Sequence, residues 1–110
     1  MRPSPIFLPA AALALGLFAQ STGRAASGEE VFANYCAPCH GLDGKARTPA
    51  GKKAGAKDLS ESKLADAALA TQIRDGTKNP NGSDRMPAFK DRLSADQISQ
   101  VVAFVKTFRR

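Results

Sequence analysis

Cys36-Ala37-Pro38-Cys39-His40 is where this chain of 110 residues concentrates its chemistry. Two thiols three positions apart on one helical turn can reach the two vinyl groups on one edge of a porphyrin, and a C-x-x-C-H run reads as an attachment site for a c-type haem. His40 follows Cys39 directly, so its imidazole lies under the tetrapyrrole as the proximal iron ligand. It is the only histidine in the sequence, so no other imidazole can serve. Competing readings of the run lack parts. A zinc site wants a second Cys or His pair, and a thioredoxin-type redox pair wants a βαβ setting; the sequence offers neither. Iron held this way needs a second axial donor, soft or nitrogenous. The methionines are Met1 and Met86, and Met1 falls in a segment read below as a removable leader. Pro87 fixes the backbone after Met86 and bars helix continuation, which suits a loop residue aiming its sulfur inward. The competing reading of Met86 is plain core filler.

The elements that must position these residues begin after residue 26. Residues 1–26 hold 15 of the 47 apolar residues, with Arg2 near the start and an apolar stretch of 14 residues, Ile6 to Ala19, broken by Pro9 and Gly16. Polar Gln20, Ser21 and Thr22 follow, then Gly23 and Ala25 at the −3 and −1 positions of a cleavage after Ala25. That is the layout of a secretory signal peptide, and the stretch is shorter than the roughly 20 residues a spanning helix needs. No Cys follows it closely, which argues against a lipid anchor. The expectation is a removed leader over 1–26, one domain over 27–110, export to the periplasm and no integral membrane span after processing.

Residues 27–110 keep 47 − 15 = 32 apolar residues, of which 13 are Ala and none is Trp. A core that small usually needs a staple such as a bound cofactor, and a disulfide between Cys36 and Cys39 would close too small a loop to help. Composition therefore points to one small domain with a prosthetic group, and excludes a multidomain enzyme, a membrane transporter and a disulfide framework. Loss of Arg2 and Arg24 leaves 14 Lys+Arg against 10 Asp+Glu, a net charge of +4. The bases concentrate over Lys45–Lys57 and at Lys106, Arg109 and Arg110. Mild basicity suits an acidic protein partner or an anionic surface. Nucleic acid fits poorly, because the basic segment is rich in Gly and Ala and lacks interleaved aromatics.

Three helices separated by two long loops can be read along 27–110. Ser27 and Glu30 make a capping box for a short helix with Val31, Phe32 and Tyr35 on its apolar side, ending near Cys39. Gly41, Gly44, Pro49, Gly51 and Gly55 mark the next stretch as loop. The second helix runs from about Lys63 to Asp75, with Leu64, Ala68, Leu69, Gln72 and Ile73 in helical register and Gly76 at the C′ position. Asn79-Pro80-Asn81-Gly82 is turn chemistry. The third helix opens on a second capping box, Ser94 and Gln97, and carries the stripe Ile98, Val101, Val102, Val105 and Phe108, widened by Phe104. No segment shows a convincing strand period.

Taken in order, these motifs resemble a small bacterial class I cytochrome c. The resemblance rests on Cys36-Ala-Pro-Cys-His40, Gly41-Leu-Asp-Gly44-Lys45, Asp58-Leu59-Ser60, Ile73-Arg-Asp-Gly76, Met86-Pro-Ala-Phe89 and Leu93-Ser94-Ala-Asp-Gln-Ile98 leading into Val101-Val-Ala-Phe104-Val-Lys106. It implies an all-α fold, three main helices and long loops around one haem c bound covalently by Cys36 and Cys39, with His40 and Met86 as axial ligands. It implies that Gly28 and Phe32 cross the last helix near Val101 and Phe104. A family proline about nine positions after the proximal histidine places its carbonyl on the imidazole Nδ1–H; Pro49 matches by spacing, and could equally be a turn residue. The absence of Trp leaves Arg47, Lys52, Lys57 and Arg85 as candidate partners of the haem propionates, with solvated surface charge as the plainer reading of each. The function so implied is one-electron carriage by a monomer, without enzymatic activity. Its redox partners would be a quinol–cytochrome c oxidoreductase, a haem–copper oxidase or a soluble dehydrogenase or reductase. The alternative is a haem enzyme or gas sensor with a labile sixth ligand, for which Arg85 beside Met86 is the one distal cation at hand.

Overall fold

The computed structural model describes residues 1–5 and 27–110. Most of the expected leader, residues 6–26, lies outside the described residues. The first helical rod opens where Ser27 Oγ accepts from Glu30 N–H. It has three parts: α1 (Gly28–Val31), a π-helical turn over Phe32–Cys36, and α2 (Ala37–His40). The π turn is closed by the Ala37 N–H donating to the Phe32 carbonyl. The expected single helix is therefore interrupted just before the C-x-x-C-H run, and π turns of this kind gather at functional sites.

The last helix, α5 (Ala95–Lys106), follows its sequence signal closely. Ser94 Oγ accepts from Gln97 N–H at 3.1 Å and Gln97 Oε1 accepts from Ser94 N–H at 2.8 Å, the two arms of the capping box. Ile98, Val101, Val102 and Val105 are buried along its stripe. Packing of α1 on α5 requires Gly28: a Cβ there would lie 2.2 Å from the Gln100 carbonyl oxygen and 3.2 Å from Phe104 Cβ. Phe32, fully buried, then stacks with Phe104 (5.4 Å between centroids) and Phe108 (5.1 Å). The crossing implied by the family resemblance is present.

Between these two helices the chain differs from its expected outline in three places. The stretch read as loop contains α3 (Pro49–Ala54), capped by Thr48 Oγ1 accepting from Gly51 N–H and ended by Gly55 at φ 70°. Proline at N1 and glycine just past the end are a helix signature, masked here by a Gly- and Ala-rich composition. The second helix, α4 (Asp66–Asp75), starts later than Lys63. Leu64 lies outside the helix before it, its N–H bonded to Ser62 Oγ and its carbonyl taken by the Arg109 guanidinium. Ala65 offers no side-chain cap, and the Lys106–Asp66 ion pair (3.0 Å) ties the start of α4 to the end of α5. Finally, β1 (Thr77–Lys78) and β2 (Asp84–Met86) form an antiparallel pair with Thr77 opposite Met86. Strands of two and three residues are too short to show an alternating period. The fold is mostly helical, with the core between α1, α4 and α5 and one side opening on the site.

Candidate functional site

Cys36, Cys39, His40 and Met86 all line a single cavity of about 510 Å³, within the range of small-molecule and cofactor sites. Its walls come mainly from four stretches of chain, the Phe32–His40 side of the first rod, the segment Ala54–Leu64, the inner face of α4 at Leu69 and Ile73, and β2 with the loop Met86–Phe89, completed by Thr77 of β1 and Val105 of α5. The surface is dominated by apolar side chains, with charged groups Lys57, Lys63 and Arg85 among the exposed lining residues.

The C-x-x-C-H run is placed by the π turn and by α2. Cys36 ends the π turn and is buried; Cys39 is half-buried on the following turn; both thiols are free. Burial, and then the neighbouring Cys39, push the Cys36 thiol up to about 11. The backbone of α2 is held from outside by Thr48, whose hydroxyl donates to the carbonyls of Pro38 (2.8 Å) and Cys39 (2.9 Å). Gly51 of α3 sits directly against the same turn: a Cβ on it would lie 2.0 Å from the Cys39 carbonyl oxygen.

His40 Nδ1 lies 3.0 Å from the Lys57 carbonyl oxygen. A carbonyl only accepts, so Nδ1 carries the proton and Nε2 keeps its lone pair. Burial lowers the His40 pKa below its ordinary value, opposed in part by the Lys57 bond, so the ring is neutral at neutral pH. A carbonyl on the far nitrogen is the usual outer support of a metal-ligating histidine. The proline reading of this support is corrected by the geometry: Pro49 is exposed at the first position of α3, and Lys57, eight residues further on, supplies the carbonyl. Nothing in the sequence marks it, because a backbone carbonyl carries no residue identity. The segment bearing it is pinned. Leu59 N–H donates to the Gly44 carbonyl at 2.8 Å, and Asp58 Oδ1 accepts from Ser60 N–H (2.9 Å) and Oγ (2.6 Å). The Ser60 hydroxyl is the largest cause holding the Asp58 carboxyl below its ordinary range; desolvation opposes it, and the Ser60 N–H, Arg110 and Lys45 assist.

Met86 is half-buried at the end of β2 and packs against the core. The residue that positions it is Gly76, at φ 68°, where a Cβ would lie 2.3 Å from the Met86 carbonyl oxygen and 2.8 Å from Ala88 N. The end of α4 and the Met86-Pro87-Ala88 loop are thus in backbone contact. Phe89 anchors the loop, its N–H donating to the Ile73 carbonyl at 3.0 Å and its ring buried edge-on to Tyr35. Of the propionate candidates, Lys57 and Arg85 line the cavity, and Arg47 and Lys52 are not among the lining residues. Two thiols, an imidazole with its Nε2 lone pair free of that bond and a thioether in one apolar cavity are a donor set that fits a covalently held haem.

Comparison with known proteins agrees with this chemistry. The family described as "Cytochrome C oxidase, cbb3-type, subunit III" matches residues 23–105. Cytochrome c6 of Leptolyngbya boryana is 40% identical over 81 residues, covering 74% of this chain and 88% of the relative. Cytochrome c6 of Gloeothece citriformis (strain PCC 7424) is 38% identical over 84 residues, covering 76% and 70%. The solved structure of the KustC0563 c-type cytochrome superposes with a TM-score of 0.67 at 28% identity, over 77% of this chain and all of that one.

Proposed function

The chain belongs to the small mono-haem class I c-type cytochromes, and from that premise we propose that it is an exported one-electron carrier with one haem c bound through Cys36 and Cys39. In this reading His40 and Met86 hold the iron from its two sides. The observation that carries it is the His40 Nδ1 bond to Lys57, which leaves Nε2 as the donor in a cavity that Met86 and both thiols also line. The haem, when bound, supplies one-electron exchange at iron, and ligation by His and Met raises its potential.

The chain's own part is to hold both ligands still. Lys57 fixes the imidazole tautomer and orientation. Gly76, the short β1–β2 pair and Phe89 fix the loop that carries Met86. With His40 and Met86 both holding the iron, no position would be left open to substrate, which supports electron carriage without enzymatic turnover. The alternative of an open iron site would use Arg85 as its distal cation, but that guanidinium is engaged by the Gly55 carbonyl. Among the described residues no helix is long and apolar enough to cross a membrane. We place the mature chain, residues 27–110, in the periplasm as a monomer. Its redox partners are of the class of a quinol–cytochrome c oxidoreductase, a haem–copper oxidase or a soluble dehydrogenase or reductase.

Replacement of Met86 by Ala tests the assignment. The sulfur-to-iron charge-transfer band of the oxidised protein should vanish, the reduced protein should bind carbon monoxide, and the midpoint potential should fall. A band that survives the substitution means another atom is the ligand. Rapid carbon monoxide binding by the unmodified reduced protein would favour the open-site alternative.

A further inference from the structure

We propose that Arg85 is a positioning residue that couples the two axial ligands to each other through the backbone of Gly55–Lys57; the proposal rests on the His40 and Met86 assignment above. Arg85 Nη2 donates to the Gly55 carbonyl at 2.7 Å, across 30 positions of sequence. Two residues beyond Gly55, the Lys57 carbonyl accepts from His40 Nδ1 at 3.0 Å. On its other side Arg85 is the chain neighbour of Met86. His40 and Met86 are therefore joined by two hydrogen bonds and a three-residue piece of backbone that borders the cavity between them.

The crossbar is built for this contact. Gly55 ends α3 at φ 70°, and a Cβ on it would stand 3.1 Å from Arg85 Nη2, so glycine leaves the carbonyl approachable. Behind the carbonyl the segment is tied to the body of the fold by Ala56 N–H on the Gly51 carbonyl and Leu59 N–H on the Gly44 carbonyl. Arg85 is in no ion pair among the described residues, so the carbonyl is its defined partner. A bond from a cationic donor is stronger than a neutral one. It restrains the Lys57 carbonyl on one side and the start of the Met86 loop on the other.

Loss of this bond should disturb both ligands at once, in ways that oppose each other in the midpoint potential. A weaker Nδ1 bond makes the imidazole a poorer donor and raises the potential, and a looser Met86 lowers it. The test therefore reads each ligand separately, with Arg85→Met, which keeps length and removes the donor, and Arg85→Lys, which restores a donor. In holoprotein, Arg85→Met should bind carbon monoxide in the reduced state about tenfold faster than the unmodified protein, the effect expected on losing one charge-assisted hydrogen bond. The hyperfine-shifted Nδ1 proton of His40 should exchange faster with solvent in the same variant. Arg85→Lys should lie between the two on both measures. Unmodified carbon monoxide binding and proton exchange in Arg85→Met would overturn the coupling while leaving the ligand assignment intact. So would a change confined to the pH dependence of the midpoint, which would assign Arg85 to a haem carboxylate. Absence of the sulfur-to-iron band in the unmodified protein would overturn the ligand assignment itself, and the coupling with it.

Discussion

At the scale of single residues, the site depends on atoms that are missing as much as on those present. Gly76 shows this. Its φ of 68° with ψ of −170° lies in a region essentially reserved for glycine, costing an L-residue about 1–3 kcal/mol, and a Cβ would also collide with the Met86 carbonyl oxygen at 2.3 Å. Gly76→Ala should therefore lower stability by more than the conformational term alone. It should also weaken the sulfur-to-iron band of the oxidised protein, because the loop bearing Met86 must back away; denaturant unfolding and the absorption spectrum together check both. A full-strength band with only a stability loss would confine Gly76 to the fold. The thiols, the imidazole and the thioether were all legible in the sequence, since each is a residue type with distinctive chemistry. The Lys57 carbonyl was not, because any residue there would present the same atom. The spacing of Pro49 pointed to the wrong carbonyl for the same reason.

At the scale of elements, α1 and α5 form the frame. An alanine at Gly28 would gain about 1 kcal/mol of helix propensity but would place a Cβ 2.2 Å from the Gln100 carbonyl oxygen. The collision should win. The two helices would have to separate, loosening the contacts of Phe32 with Phe104 and Phe108, and overpacking of this kind costs about 1–3 kcal/mol. Gly28→Ala should thus lower the thermal midpoint of the holoprotein; an unchanged or raised midpoint would mean that the crossing can relax. Both framing helices announce themselves through capping signals and apolar stripes, although only the Ser94–Gln97 box closes both arms, and at α1 the Glu30 carboxylate accepts from the Ser27 hydroxyl instead. Elements between them are less visible for physical reasons. The three-residue strand β2 has no room for a period, and the start of α4 is set by Arg109 reaching back from the far end of the chain to Leu64, a contact no local window contains. For α3 the cap, Pro49 and Gly55 were all present, but Gly51 reads locally as a breaker. Its role is close approach to the Cys39 carbonyl.

At the scale of the whole molecule, charge is unevenly spread. Lys45, Arg47, Lys52, Lys53 and Lys57 lie in one stretch, and none of them takes part in an ion pair among the described residues. Lys52 and Lys53 are exposed on α3, which packs on the C-x-x-C-H turn. An acidic redox partner should be steered to this side, with screening over about 8–10 Å at physiological salt. The second-order rate of electron transfer to an acidic partner should fall as ionic strength rises. Reversal of charge in Lys52→Glu with Lys53→Glu should flatten that slope while leaving the midpoint potential nearly unchanged. Stopped-flow rates at several ionic strengths decide the matter, and a slope equal to that of the unmodified protein would move docking to another face.

The π turn over Phe32–Cys36 makes the chain tolerant of a change in length as well as in identity. Ala33 and Asn34 are exposed within it, so most single-base changes in their codons should pass without effect. In-frame loss of either codon should also be absorbed. A π turn is an α turn with one extra residue, so the rod would close to ordinary α-helix and its two ends would keep nearly the same angular relation. Gly28 and Phe32 would still face α5 and the thiols would still face the cavity, with the rod shortened by about 1.5 Å. Natural variants of this protein should accordingly show free substitution at these two positions, and any single-codon gap between Gly28 and Cys36 should fall within the π turn.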